Sequence, residues 1–277
     1  MEEKVSPGEV RESPIAGSWY PGKKEQLTAQ IERFLAGVTP QELPGELLGL
    51  ISPHAGYAYS GQVAAWAYRQ LAGRKYDTVA VVSPSHAPYG GRVLVTRLRY
   101  YRTPLGLVEV AHDLLAGLAR EAPVSLIGQD EEHSLEVQLP FLQHTLGGFR
   151  LVPVMLEDQS YATAALVAQA LARVLEGKRA LLVASTDLSH FHPYERAVAL
   201  DRRALESIGR FDPEGLDRDI NEGLCEACGY GAVVAVLLAA RARGATRVAL
   251  LKYANSGDVT GDRHSVVGYA SLALTTG

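Results

Sequence analysis

Five short apolar runs, Leu47–Ile51, Thr78–Val82, Leu151–Leu156, Ala180–Ala184 and Val248–Leu251, recur along the chain without alternating apolar and polar residues. A strand with one wet face alternates; near-continuous runs belong to strands covered on both faces. Between them lie helical patterns at Lys24–Ala36, Gln62–Leu71, Val110–Arg120, Leu135–Thr145, Ala162–Leu175, Tyr194–Ile208 and Gly231–Arg243. This interleaving predicts an α/β fold: one three-layer domain over residues 1–277, with a mostly parallel central sheet flanked by helices. Ser265–Leu274 is expected to add another strand, and Arg92–Thr96 a short antiparallel one. Thr39–Gly45 is a Pro-containing connection too short to divide the chain.

Composition excludes several functions. The chain has 277 residues, 47% of them hydrophobic, enough to bury a large core without staples. Lys and Arg total 27 against 31 Asp and Glu, a formal charge of −4, with no basic stripe. A nucleic-acid binder would need that stripe. Met1–Val10 is polar and acidic and lacks the apolar core of a secretory signal. The longest nearly apolar run, Ala227–Ala240, is too short to span a bilayer and reads as a buried helix. A cytoplasmic protein without membrane or nucleic-acid partners is expected. The two cysteines, Cys225 and Cys228, do not make a disulfide scaffold.

Three apolar runs end alike. The first leads into Ser52-Pro53-His54-Ala55-Gly56-Tyr57, the second into Ser83-Pro84-Ser85-His86-Ala87-Pro88-Tyr89, and the fourth into Ser185-Thr186-Asp187-Leu188-Ser189-His190-Phe191-His192. Each histidine sits just past the carboxyl end of a buried strand, the edge where open α/β sheets bind ligands. Pro53 and Pro84 stop the strand and stiffen its exit. A single histidine after a strand is ordinarily a turn residue. Three such exits in a chain of eight histidines point to a shared site.

Cys228 stands just before the apolar helix expected near Gly231. A helix N-terminus favours the thiolate; the alternative reading is a buried thiol serving as a small hydrophobe. Cys225 and Cys228 form a C-x-x-C, but no thioredoxin-like context precedes it and no second pair completes a zinc ribbon. Asp130-Glu131-Glu132-His133-Ser134 opens a helix, and its acids read as dipole-complementing caps, with Glu131 to Ser134 able to supply them. That leaves His133 without a structural reason, and it is carried as a pocket residue. Asn255-Ser256-Gly257-Asp258-Val259-Thr260-Gly261-Asp262 has the composition of a turn-rich loop, read either as a surface connection or as a wall of the same pocket.

These motifs together resemble the Memo family, whose bacterial and archaeal members are called AmmeMemoRadiSam system protein B. The resemblance runs from Val10-Arg11-Glu12 and Ala16-Gly17-Ser18-Trp19-Tyr20-Pro21-Gly22 through S-P-H-A-G-Y, P-S-H, E-H-S-L-E-V-Q-L-P-F, S-T-D-L-S-H, A-C-G-Y-G and N-S-G-D-V-T-G-D to V-V-G-Y-A. It implies a fold like that of the class III extradiol dioxygenases, which are non-haem iron enzymes. It also implies metal ligands at His54, His86 and Cys228, with Asp187 and His190 as further pocket positions. Two histidines and a thiolate depart from the dioxygenases' two histidines and a carboxylate. A soft thiolate shifts preference toward Fe(II), Cu or Zn, and the resemblance to non-haem iron enzymes implies Fe(II) first. In this reading His190 exchanges a proton beside the metal, and Asp187 orients it or adds a ligand.

Three functions follow as expectations. The first is a metal-dependent oxidoreductase, dioxygenase-like in architecture. The second is a non-catalytic protein that binds a small molecule or peptide in the same pocket, as eukaryotic family members are described as doing with phosphopeptides. The third is a metal-dependent hydrolase. A serine hydrolase is excluded, because Ser185, Asp187 and His190 crowd one short segment and no G-x-S-x-G elbow is present. The bacterial family name implies radical-SAM and AMMECR-like partner proteins.

Overall fold

The computed structural model describes residues 6–277. Strands β2 (Leu47–Ser52), β3 (Thr78–Pro84), β8 (Arg150–Leu156) and β9 (Ala180–Ser185) form the parallel centre of a twelve-stranded sheet, in the order β8-β3-β9-β2. Every residue of β2, β3 and β9 is buried, as their unbroken apolar runs require. Around this centre the sheet is mixed. Strands β1 (Val10–Arg11), β5 (Tyr100–Thr103) and β6 (Gly106–Val110) extend it beyond β8. Strand β4 (Val93–Thr96) pairs antiparallel with β8 and parallel with β7 (Val124–Ile127). At the other edge β12 (Val266–Thr275) runs antiparallel to β2 and also pairs with β10 (His190–His192) and β11 (Arg247–Asn255).

Helix α2 (Tyr57–Arg69) lies between β2 and β3, and α5 (Tyr161–Val174) between β8 and β9. The two crossovers run in opposite directions along the sheet, so right-handed connections place the two helices on opposite faces. Helices α1 (Lys24–Ala36) and α4 (Leu139–Leu146) pack with α2. Helices α3 (His112–Leu118) and α8 (Tyr230–Ala242) pack with α5, and α7 (Pro213–Asn221) with α8. Helix α6 (Tyr194–Gly209) sits over the β11–β12 edge. The three-layer expectation holds.

Local rules explain the elements. Leu27, Ile31 and Leu35 repeat every four residues and form the buried stripe of α1. Ser160 caps α5 by accepting from Thr163 N, and Asp212 caps α7 with Pro213 at its first position. Helix α8 is apolar and mostly buried up to the exposed Arg241 in its last turn; among the described residues no helix is long and apolar enough to cross a membrane.

Several sequence expectations are corrected. Val248–Leu251 is not a strand covered on both faces: among the described residues β11 pairs only with β12, and most of its residues are exposed or half-buried. Helix α2 begins five residues before the expected Gln62, because Tyr57 N finds an acceptor in the Trp19 carbonyl at 2.8 Å and the turn after β2 is correspondingly short. Val110 belongs to β6, where it pairs with Leu151, and not to α3. The Leu135–Thr145 pattern resolves into a 3-10 turn, Glu136–Gln138, followed by α4, with Pro140 in the first turn of the helix where a missing N–H costs nothing.

Candidate metal centre

Because β2, β9 and β3 are neighbours in register, their exits emerge side by side at the carboxyl edge. The turn after β2 carries His54, that after β3 carries His86, and that after β9 carries Asp187. The fourth element is the start of α8. Gly229 lies so close to β9 that a Cβ there would overlap the Ser185 carbonyl oxygen, and Gly229 N donates to Thr186 Oγ1 at 2.9 Å. Gln159 clamps the same corner through its side-chain amide, donating to the Cys228 carbonyl at 2.6 Å and accepting from Gly231 N at 3.1 Å. Cys228 is thereby pressed against the strand exits, its Sγ accepting from Asp187 N at 3.3 Å.

The result joins three of the expected residues. Ligand atoms of His54, His86 and Cys228 all lie within 4.8 Å of one another. Cys228 Sγ is 3.0 Å from His54 Nε2, and the His54 and His86 rings stand nearly perpendicular with centroids 5.3 Å apart. His54 is buried, whereas the His86 side chain is 38% exposed, so the cluster opens on the His86 side. A cleft of about 590 Å³ lies there, with Trp19, Tyr59, Phe191 and Tyr269 among its walls and, among the described residues, no lysine or arginine.

His133 lies in this cleft. Its ring stacks on His86 at 4.5 Å and lies tilted against Trp19, with centroids 4.0 Å apart. The acids around it are not helix caps, which corrects the reading of the 130–136 segment. Glu132 is buried and accepts from His86 N at 2.6 Å, His86 Nδ1 at 3.0 Å, and the amides of His133 and Ser134, each at 2.9 Å. Asp130 and Glu136 are buried against Arg11 of β1, which also donates to the Glu132 carbonyl. This ion cluster ties the loop bearing Glu132 and His133 to the N-terminal strand. Ligand atoms of His86, Glu132 and His133 also lie close together, but Glu132 already serves four donors and acts as their anchor.

Asp187 Oδ1 accepts from His54 N at 2.7 Å and Ala55 N at 3.3 Å, so it holds the turn that presents His54. His190 lines the cleft, and its backbone N donates to Glu226 at 3.3 Å. Its neighbour Phe191 is exposed at φ 61°, a conformation that bulky residues rarely adopt. The Asn255–Asp262 segment is more regular than a turn-rich loop: Asn255 forms a capping box with Asp258 and starts the short helix α9 (Ser256–Thr260), whose Ser256 reaches the cleft.

Burial dominates the electrostatics. It pushes the His54 pKa well down, helped by the neighbouring His133 and His86, and that of His133 down to about 4. It likewise lowers His190 and raises Asp187 to about 7. His86 moves up, because its ring bonds to Glu132. Burial raises the carboxyl of Glu132, but the bonds from His86 and the backbone amides outweigh it and hold the group far below the usual range. The Cys228 thiol is pushed strongly up by burial and by Asp187, so without a cation beside it the group stays protonated. The helix N-terminus does not overcome that penalty, contrary to the sequence expectation.

Sequence reasoning missed the groups behind the ligands. Glu132, Ser185 and Gln138 stand within motifs that were singled out, but nothing local distinguishes a ring-orienting acceptor from a cap or a turn residue. Trp19 and Tyr269 are two of the cleft's aromatic walls, and only tertiary folding brings them there.

The family profile described as "Memo-like protein" matches residues 11–273. A MEMO1 family protein of Methanosarcina mazei is 40% identical over 270 residues, covering 96% of this chain and 99% of that one. Another, from Methanothermobacter thermautotrophicus, is 40% identical over 278 residues, covering 95% of this chain and all of the other. A Thermotoga neapolitana member is 39% identical over 280 residues, covering 96% and 100%. Among solved structures, that of the uncharacterised Escherichia coli protein JW3007 superposes with a TM-score of 0.53 at 14% identity, covering 82% of this chain and 99% of that one, a likeness of fold.

Proposed function

This chain belongs to the Memo family, and from that premise we propose that it is a metal-dependent oxidoreductase whose ion is held by His54, His86 and Cys228. The observation that carries the reading is the convergence of two imidazoles and a thiol within 4.8 Å of one another, with both imidazoles lining a cleft. The residues fit such an ion. Tetrahedral Zn- or Fe-type sites with bonds of about 2.0–2.3 Å place neighbouring donors roughly 3–4 Å apart, and His54 Nε2 and Cys228 Sγ are 3.0 Å apart. Each imidazole also has the partner on its Nδ1 that metal-binding histidines use to fix their orientation, Ser185 for His54 and Glu132 for His86.

A thiolate with two imidazoles suits Fe(II), Cu or Zn, and we take Fe(II) as the first ion to test. When bound, a redox-active ion supplies electron-transfer chemistry and a coordination position open to the cleft. The remaining work falls to the chain. Trp19, Tyr59, Phe191 and Tyr269 bind the flat faces of a small organic molecule. With no lysine or arginine among the described residues of its walls, the cleft suits an uncharged ligand better than a phosphopeptide. His190, held neutral by burial, takes or gives a proton at a ring nitrogen. Asp187 positions the His54 turn. Two free cysteines accord with a cytoplasmic setting, and radical-SAM and AMMECR-like proteins are the partners we propose, to be sought by co-purification.

The test is oxygen uptake by Fe(II)-loaded protein over a panel of phenols and other neutral aromatics, with an ester and amide panel run on Zn(II)-loaded protein. Uptake that stops in His190→Ala supports the reading. Hydrolysis with Zn(II) and no oxygen uptake with Fe(II) sinks it.

A further inference from the structure

We infer that a buried hydrogen-bond relay from Tyr68 through Gln138 to Ser185, whose proton is committed to the Ser134 carbonyl, fixes His54 as its Nδ1–H tautomer and turns the Nε2 lone pair toward Cys228. The inference rests on the metal-site reading for its purpose, but its logic comes from the donors and acceptors alone.

The relay is buried throughout, so no group can turn to bulk water for a substitute partner. It begins at Tyr68 on α2, whose ring is stacked on Phe141 at 4.9 Å and 8°. The phenol donates to Gln138 Oε1 at 2.6 Å. The other end of that amide lies 3.0 Å from the Pro53 carbonyl, which can only accept. The Gln138 amide is therefore oriented with Nε2 toward Pro53, and its second N–H reaches Ser185 Oγ at 2.7 Å.

Ser185 Oγ has three partners and one proton. Gln138 Nε2 can only donate to it. The Ser134 carbonyl, 2.6 Å away, can only accept, so the hydroxyl proton goes there. Toward the third partner, His54 Nδ1 at 3.0 Å, the hydroxyl is left with a lone pair. A neutral His54 must then carry its proton on Nδ1. Its bare Nε2 faces Cys228 Sγ at 3.0 Å, where it accepts from the thiol when no ion is present and is free to bind one. Tyr68, Gln138 and Ser185 touch neither the cleft nor the ligand atoms' open side; they are positioning residues acting through His54.

The account is tested on metal-free protein labelled with 15N-histidine, by reading the His54 tautomer from long-range 1H–15N correlations at pH 8. The expected result is the Nδ1–H form. In Ser185→Ala the acceptor is gone, and the Nε2–H form appears. In Gln138→Leu the Ser134 carbonyl still takes the serine proton, and the Nδ1–H form is kept. Titration with Co(II), followed by its thiolate charge-transfer absorption, is expected to show affinity weakened roughly 10- to 100-fold in Ser185→Ala. An Nε2–H tautomer in the wild type overturns the relay without recourse to any variant. Retention of the Nδ1–H form and full Co(II) affinity in Ser185→Ala overturns it as well. A wild type that shows the Nδ1–H tautomer but binds no Co(II) supports the relay while refuting the metal-site reading, so the two fail separately.

Discussion

Cys228 Sγ lies 3.0 Å from His54 Nε2 although 174 residues separate the two in sequence. The contact joins the exit of a central strand to the start of a buried helix, and it adds the one soft donor to a site otherwise made of imidazoles. Replacing Cys228 by Ser keeps the shape and hardens the donor. The expected outcome is a loss of affinity for thiophilic ions such as Zn(II) and Co(II), with weak binding of Mg(II) or Mn(II) little changed. Competition with a chromophoric chelator measures both; equal losses for soft and hard ions would remove the thiol from the ligand set.

Glu132 is a buried carboxylate that accepts four hydrogen bonds, two of them from His86. Glu132→Gln turns an acceptor-only group into one that also presents N–H groups to its former donors. We expect a stability loss of about 1–3 kcal/mol in urea unfolding, together with metal affinity roughly 10- to 100-fold lower as His86 loosens. Affinity at the wild-type level would show that His86 needs no such anchor.

Gly229 has no space for a side chain, because a Cβ would meet the Ser185 carbonyl oxygen and Thr186 Cβ, both fixed by the strand exit. Gly229→Ala must push α8 and Cys228 away from β9. The cost is about 1–3 kcal/mol, with a matching loss of metal affinity. Gly209→Ala, at the end of α6 where the same atom meets nothing within 4 Å, serves as the control and is expected to leave metal affinity unchanged and stability no lower.

Asp201 is buried beneath β12, accepting from Ser189 N at 2.9 Å and Tyr253 OH at 2.7 Å. Burial raises its pKa despite these bonds. The folded state therefore binds the proton more tightly than the unfolded chain does. Its contribution to stability is greatest at low pH and falls as pH rises from the ordinary aspartate range near 4 through the raised folded value. Asp201→Asn removes this titration, so the stability of wild type relative to the variant should decline as pH rises above the ordinary aspartate range. Denaturant curves at a series of pH values measure the difference, and a relative stability that climbs with pH contradicts the assignment.

Much of the architecture was legible because it follows from patterns a few residues long. The unbroken apolar runs of β2, β3, β8 and β9 could only belong to strands covered on both faces, and the turns that end three of them carry the clustered side chains. Val248–Leu251 misled because apolar composition does not say whether a strand lies at the centre or the edge. The role of Glu132 was hidden for a similar reason. An acid before a helix is a good cap in isolation, and only the β3 exit folding over it makes it a partner for His86. The Cys228 thiol shows the same limit: proximity to a helix N-terminus is visible in sequence, whereas the burial that outweighs it is not.

The central claim is tested most directly by the metal content of protein purified without oxygen, comparing wild type with His54→Ala and Cys228→Ser. The account predicts close to one iron per chain in the wild type and little in either variant. Wild-type protein that holds no metal even after incubation with Fe(II), or variants that retain it in full, would contradict the account.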